Sequence, residues 1–354
     1  MHIPDGYLSP STCAAMYLGA APFWYVAMQR LKRMLHTRFV PLLSLFAAFS
    51  FVVMMFNLPL PGGTTGHAVG VGIATIVLGP WAAILSISIA LLIQALFFGD
   101  GGITAFGANC FNMAVVGSLV TYGIYRLVAG SSAITATRRV FAAGLAGYAA
   151  INASALCAAI EFGIQPLLFR DAAGAPLYAP YPLSIAIPAM LIGHLTIAGL
   201  AELVLTAGVV GYLQRTDPAL LQRTAPLSAA GTGSPPANWS HGTMRRLWVA
   251  LSMLLILTPL GILAVGTAWG EWTSQDFSDP AMRQEITKAT GRPPPVNAPS
   301  GLKRLSTLWT APFPRYAPAV IRSASFGYAL SGMIGVGLIV LVCSLAGLGG
   351  RKQT

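Results

Sequence analysis

Charge is the scarcest ingredient of this chain. Of 354 residues only 10 are Asp or Glu and 21 are Lys or Arg, so 9% of the chain is charged, against roughly 25% in an ordinary soluble domain. The deficit is concentrated: residues 39–99, 101–125, 140–160, 172–201, 247–270 and 323–350 contain no Asp, Glu, Lys or Arg. Apolar runs of about 20 residues cross a hydrocarbon core as helices, so the chain reads as a membrane protein. A soluble enzyme, a nucleic-acid binder and a disordered chain are excluded. Cysteine is nearly as rare. The four present, Cys13, Cys110, Cys157 and Cys343, are far apart and lack any CxxC or Cys/His pairing, which leaves them as small buried apolar residues. No GxxxxGK[ST] loop occurs, the tail GLGGRKQT included, and no HExxH or GxSxG. The chain therefore lacks the phosphate cradle of a P-loop ATPase and the signatures of a hydrolase, and is expected not to be an enzyme. The apolar runs are continuous rather than alternating, which excludes a membrane β-barrel.

Those runs predict helices near 11–29, 39–57, 67–79, 81–98, 108–128, 140–165, 184–212, 247–267 and 326–347. The expected fold is all-α: a polytopic integral membrane protein with a seven-helix bundle at 1–212, then two further transmembrane helices at 245–354 flanking an external loop, 268–325. The third helix is short, and Gly79-Pro80 separates it from the fourth, as in a tight hairpin or a broken element. Residues 213–244 turn to Ala, Pro, Gly, Ser and Thr, the composition of a flexible cytoplasmic linker.

The net charge of +11 follows from the way multi-pass proteins collect Lys and Arg in cytoplasmic loops. With the N-terminus outside, the inner segments hold Arg30, Lys32, Arg33, Arg38, Arg126, Arg138, Arg139, Arg215, Arg223, Arg245, Arg246, Arg351 and Lys352 against the single acid Asp217. The outer segments are then balanced, and they include Asp5, Asp100 and Asp171. The positive-inside rule thus places the N-terminus outside and the C-terminus in the cytoplasm.

The chain begins MHIPDGYLSP, with no positive region of the signal-peptide kind. His2 is too bulky for methionine removal, so Met1 is expected to keep a free α-amine. That amine, the His2 backbone nitrogen and the His2 ring Nδ1 can close a five-membered and a six-membered chelate ring on one ion. A deprotonated amide nitrogen favours planar coordination of Ni(II) or Cu(II). The fourth corner falls to His67, in NLPLPGGTTGHAVG, on the same outer side. Gly62, Gly63 and Gly66 let that loop fold closely around an inserted N-terminus. On the residues alone, His2 as an ordinary terminal residue and His67 as an interfacial helix-capping histidine remain open.

Four segments in order, MHIPDGYLSP, GGTTGH, QALFFGDGGITAFGANCFNM at 94–113 and GHLTIAGLAE at 193–202, resemble the substrate-capture component of cobalt and nickel energy-coupling factor transporters, the CbiM/NikM family. The resemblance covers about residues 1–212. It implies a seven-helix protein that binds Ni(II) or Co(II) as transported substrate through Met1, His2 and His67, with no tightly bound cofactor. It also implies a transmembrane coupling subunit, two ATPase subunits and a place in the bacterial inner membrane. Residues 245–350 resemble the small N component that some members carry fused, whose loop often holds a PDGLE-like signature. Here PSGLKRL at 299–305 keeps Pro299, Gly301 and Leu302 but has Ser300 and Lys303 where the acids stand. Nickel is favoured over cobalt because planar amide coordination suits low-spin Ni(II).

Among the other polar residues, Asp100, Asn109 and Asn112 lie on the outer side and are candidates to hydrogen-bond the His2 or His67 ring and fix its tautomer; a turn and a helix cap explain them equally. His194, Glu202 and Glu161 sit at membrane depth, where charged residues are functional candidates by default. Helix-to-helix hydrogen bonding, a site role and proton coupling are the readings for them. The last would suit the alternative to a capture subunit, a self-sufficient proton-coupled metal carrier. A metal sensor is disfavoured because no signalling domain follows the helices. In TAWGEW, Trp269, Glu271 and Trp272 are expected to anchor the outer end of the eighth helix at the interface.

Overall fold

The computed structural model describes residues 1–32, 39–224, 241–318 and 320–351. The first helix, α1 (Pro10–Lys32), starts at a proline, whose missing N–H is harmless in a first turn. Ser9 caps it by accepting the Thr12 N–H at 3.1 Å. α2 (Phe39–Met54) is buried along almost its whole length and leads into an antiparallel hairpin of β1 (Leu58–Leu60) and β2 (Thr64–Gly66), in register Leu58 to Gly66. Gly62 and Gly63 turn the hairpin at φ 86 and 78, where a Cβ would be strained. This hairpin is the one departure from an all-α fold among the named elements.

The expected span at 67–79 is corrected here. Residues 67–70 are non-helical, and α3 is only Val71–Leu78, eight residues, or about 12 Å of rise. Gly70 at φ 73 precedes it and Gly79 at φ 81 ends it. It is thus a buried half-helix, with all eight residues buried. Four long helices complete the bundle: α4 (Pro80–Phe98), α5 (Phe106–Ala129), α6 (Thr137–Leu168) and α7 (Leu183–Thr216). Three of them contain a π-helical turn, at Gln94–Phe98, Cys110–Val116 and His194–Ala198, the kind of local widening that gathers at functional sites. Small residues let α3, α6 and α7 approach closely: Cβ atoms on Gly72 and Gly147 would lie 2.4 and 2.8 Å from the Thr206 hydroxyl.

The C-terminal part contains α8 (His241–Leu257), a 3₁₀ turn Thr258–Leu263, the short helices α9 (Pro280–Thr290) and α10 (Ser300–Leu305), and α11 (Ala324–Arg351). Asp279 caps α9 by accepting the Ala281 and Met282 N–H groups, both at 2.9 Å. α11 lies against α2, where Gly335 leaves room for the Phe51 ring and the Tyr328 hydroxyl donates to the Met55 carbonyl at 2.7 Å. Among the described residues, six segments are long and apolar enough to cross a membrane: α4 to α7, 242–263 and α11. α2, at 16 residues, is shorter, so the fold is polytopic without reproducing nine full spans.

Residues 218–224 pack beneath α3 as a 3₁₀ turn, with the Thr224 hydroxyl on the Ile76 carbonyl at 2.8 Å. The rest of the expected linker, 225–240, lies outside the described residues, as do Arg33, Arg38 and Lys352 of the inner basic set.

Candidate metal site

The first eight residues run inward as a strap laid into one end of the bundle. Met1, His2, Ile3, Tyr7 and Leu8 are buried. The backbone of Ile3 is held from both sides: its N–H donates to Asn109 Oδ1 at 2.8 Å, and its carbonyl accepts from Asn109 Nδ2 at 3.1 Å and from the Gly102 N–H at 2.8 Å. Asp5 accepts the N–H groups of Ile103 and Thr104 at 3.1 and 2.7 Å. Gly102 has to be glycine, since a Cβ there would lie 2.3 Å from Asp5 N and 2.7 Å from Pro4 C. These contacts carry the N-terminus to the imidazole of His67.

The two rings meet at His2 Nδ1 and His67 Nε2, 3.2 Å apart. His67 Nδ1 lies 3.0 Å from the Ala68 carbonyl, which only accepts, so Nδ1 carries the hydrogen and Nε2 presents a lone pair. The hydrogen between the rings then belongs to His2 Nδ1, which also faces Asp100 Oδ1 at 3.2 Å. One proton thus sits among three electron-pair donors, where a cation could replace it. His2 Nε2 is buried without a partner. Burial, and then the positive amine next door, lowers the His2 pKa to about 3. His67, in the loop ahead of α3, is lowered by burial and then by His2. Both imidazoles are therefore neutral, the form that binds metal.

The strap ends against the C-terminal part. The Met1 amine lies 3.4 Å from Glu271 Oε1; burial, opposed by the amine, holds the Glu271 pKa up at about 7. Asp100, beside His2, accepts the Tyr316 hydroxyl at 2.6 Å and Gln94 Nε2 at 3.2 Å. Tyr316 stacks on Phe98 with ring centroids 4.8 Å apart. It does so from a left-handed backbone, Arg315 and Tyr316 having φ 54 and 57, a conformation costly for residues other than glycine. Trp269 and Trp272 are buried and packed on Tyr181 and on each other, so they sit inside the protein rather than as an exposed anchor, with the Trp272 carbonyl accepting the Tyr7 hydroxyl of the strap at 2.6 Å. Glu271 and Tyr316 were invisible to sequence reasoning as site residues. The one available signal was that Glu271 is the first charge after the run 247–270. Gly301 and Leu302 of PSGLKRL crowd Tyr178 and Gly6 of the strap, while Ser300 and Lys303 are exposed.

The remaining candidates lie elsewhere. Asp100 is at the His2 ring as expected, but Asn109 holds the Ile3 backbone rather than a ring. Asn112 Nδ2 donates to Glu161 at 2.9 Å and reaches neither histidine. His194 Nδ1 is bound to the Met190 carbonyl at 2.7 Å. Glu202 accepts three backbone N–H groups, from Val69, Gly70 and Gly72, at 2.8, 2.9 and 3.1 Å. Among the described residues no group of three His, Cys, Asp or Glu side chains is arranged as a ready-made metal cage.

This chain is similar to known proteins along most of its length. The family model described as the cobalt uptake substrate-specific transmembrane region, CbiM, matches residues 2–220, and that of the PDGLE domain matches 244–352. A fused nickel transport protein, NikMN, of Rhodobacter capsulatus is 58% identical over 96% of this chain and 95% of its own. A probable fused nickel transport protein, LarMN, of Lactiplantibacillus plantarum is 41% identical over 97% of this chain and 96% of its own. The crystal structure of a truncated transition metal transporter matches with a TM-score of 0.57 and 51% identity, covering 61% of this chain and 99% of that one.

Proposed function

The chain belongs to the CbiM family of nickel and cobalt transport proteins and carries a PDGLE domain at its C-terminal end, and from that premise we propose that it is the Ni(II)/Co(II)-capturing subunit of an ATP-driven importer. The metal ion is the cargo. Its ligands are the Met1 amine, the His2 backbone nitrogen, His2 Nδ1 and His67 Nε2. The observation that carries this reading is the 3.2 Å approach of His2 Nδ1 to His67 Nε2 beside the buried amine. A divalent ion entering there displaces the shared proton. That proton passes to His2 Nε2, beside which Gln94, with a buried and unpartnered Oε1, can accept its hydrogen bond.

Four nitrogens including a deprotonated amide favour planar coordination, and so Ni(II) over Co(II). Asp100 stays outside the ligand set as a hard oxygen donor that steadies the His2 ring. With no P-loop in the sequence, energy comes from two separate ATPase subunits acting through a transmembrane coupling subunit. The chain lies in the inner membrane with the N-terminus outside and the C-terminus in the cytoplasm, the orientation its basic residues favour. Its domains are a seven-helix metal-binding membrane bundle at 1–212, extended by the packed residues 213–224, a linker in the remainder of 213–244 and an N-component-like two-helix part at 245–354.

Nickel uptake into metal-starved cells tests this. Uptake is expected only when the coupling and ATPase subunits are co-expressed, and His2→Ala is expected to abolish it. Uptake by the chain alone would mean a self-sufficient carrier.

A further inference from the structure

Glu202 stands near the centre of α7, fully buried, and among the described residues no cation lies within salt-bridge distance of it. Its carboxylate serves chiefly the backbone that carries His67. Oε2 accepts the N–H groups of Val69 and Gly70, Oε1 accepts that of Gly72, and the Thr206 hydroxyl adds a weaker bond at 3.5 Å. These donors span the two residues before α3 and its second residue, the free N–H groups that a helix start leaves unpaired. His67 lies two residues upstream of the first of them, and its ring direction is fixed by the same turn. Gly70 is left-handed, and a Cβ there would strike Phe49 at 2.9 Å. The Ser50 hydroxyl donates to the Val69 carbonyl at 2.7 Å, a second hold on the same turn from α2.

We propose that Glu202 is the positioning residue for the His67 ligand: it anchors residues 69–72 to α7 and so holds Nε2 at the coordination corner facing His2. Movement of α7 would thereby carry His67 relative to the N-terminal strap, which is fixed to α5 through Asn109 instead. The inference rests on the reading of His67 as a metal ligand.

The test is Ni(II) titration of the purified full chain, comparing wild type, E202Q, H67A and the double variant. A glutamine oxygen can still serve Val69 and Gly70, but its NH₂ meets the Gly72 N–H donor to donor. E202Q is expected to weaken Ni(II) binding at least about tenfold and to move the visible Ni(II) absorption toward that of H67A. The double variant is expected to bind no more weakly than H67A alone, because both remove the same corner. If E202Q does not fold, E202D, which keeps the charge but withdraws it from the turn, serves in its place. Wild-type affinity in E202Q with a loss in H67A overturns the inference alone, and so does a fully additive double variant. Unchanged binding in H67A overturns the ligand reading beneath it.

Discussion

Gly102→Ala perturbs the site without touching any proposed ligand. The new Cβ would fall 2.3 Å from Asp5 N, 2.5 Å from Asp5 Oδ1 and 2.7 Å from Pro4 C. Two of those atoms are backbone, so relief requires the strap to lift. Lifting breaks the Gly102 N–H bond to the Ile3 carbonyl, 2.8 Å, a buried bond worth about 1 kcal/mol net. It also breaks at least one bond to the Asp5 carboxylate, worth about 1.5–3 kcal/mol because the acceptor is charged. The sum, about 3 kcal/mol, converts to roughly 150-fold weaker metal binding if the strap must be seated before the ion can bind. The assay is Ni(II) competition against a chelator of known affinity, with thermal unfolding as a check on the bundle. Wild-type affinity in a folded Gly102→Ala protein refutes the argument that a seated strap builds the site.

Acid should loosen the strap only below about pH 4.5. His2 rises from about 3 when seated to 6.5 when free, so it takes up a proton on release, which favours release as pH falls below 6.5. Glu271 drops from about 7 to 4.5, so it gives up a proton on release, which favours the seated state from pH 7 down to 4.5. The two cancel between 4.5 and 6.5, and below that His2 alone promotes release, about tenfold per pH unit. In Glu271→Gln the loss should begin at pH 6.5; amide hydrogen exchange at Ile3 reads both, and a wild-type profile already steep at pH 6 contradicts the assignment. Ni(II) binding should release at least one proton, that of the His2 amide, countable by calorimetry in buffers of different ionisation enthalpy. Tyr316→Phe removes the hydroxyl on Asp100 while Gln94 remains, and should weaken Ni(II) binding about fivefold, equivalent to about 1 kcal/mol. Gly261→Ala would drive a Cβ to 2.0 Å from the Met55 carbonyl and should cost about 2 kcal/mol by overpacking, seen as a lower unfolding midpoint with little change in metal affinity.

The long helices were legible because hydrophobic length is a local property: α4 to α7 and α11 begin and end within a few residues of the apolar runs that announced them. α3 was misjudged for a physical reason. Residues 67–70 are as apolar as a helix, yet Gly70 and the Glu202 carboxylate stabilise a turn there, and that carboxylate comes from a residue 130 positions away from Gly72. Met1, His2 and His67 could be named in advance because two adjacent residues carry a chelate in their covalent structure, and the structure brings those residues together. Glu271, Tyr316 and the two tryptophans could not. Their places beside the strap depend on how the C-terminal part docks against α2, which no short-range pattern encodes. The same holds for Asn112 and Asn109. The partner each takes is a distant residue, the Ile3 backbone for Asn109 and Glu161 on α6 for Asn112.

The most direct measurement is Ni(II) binding by the purified chain with its Met1 α-amine acetylated, beside the unmodified chain. Every side chain survives, but the acetylated nitrogen has no basic lone pair to give, and the five-membered ring from the amine to the His2 amide can no longer form. Binding should weaken by two orders of magnitude or more, about 3 kcal/mol, with the unfolding midpoint of the bundle unchanged. Undiminished affinity in the acetylated chain would place the metal elsewhere and contradict the account.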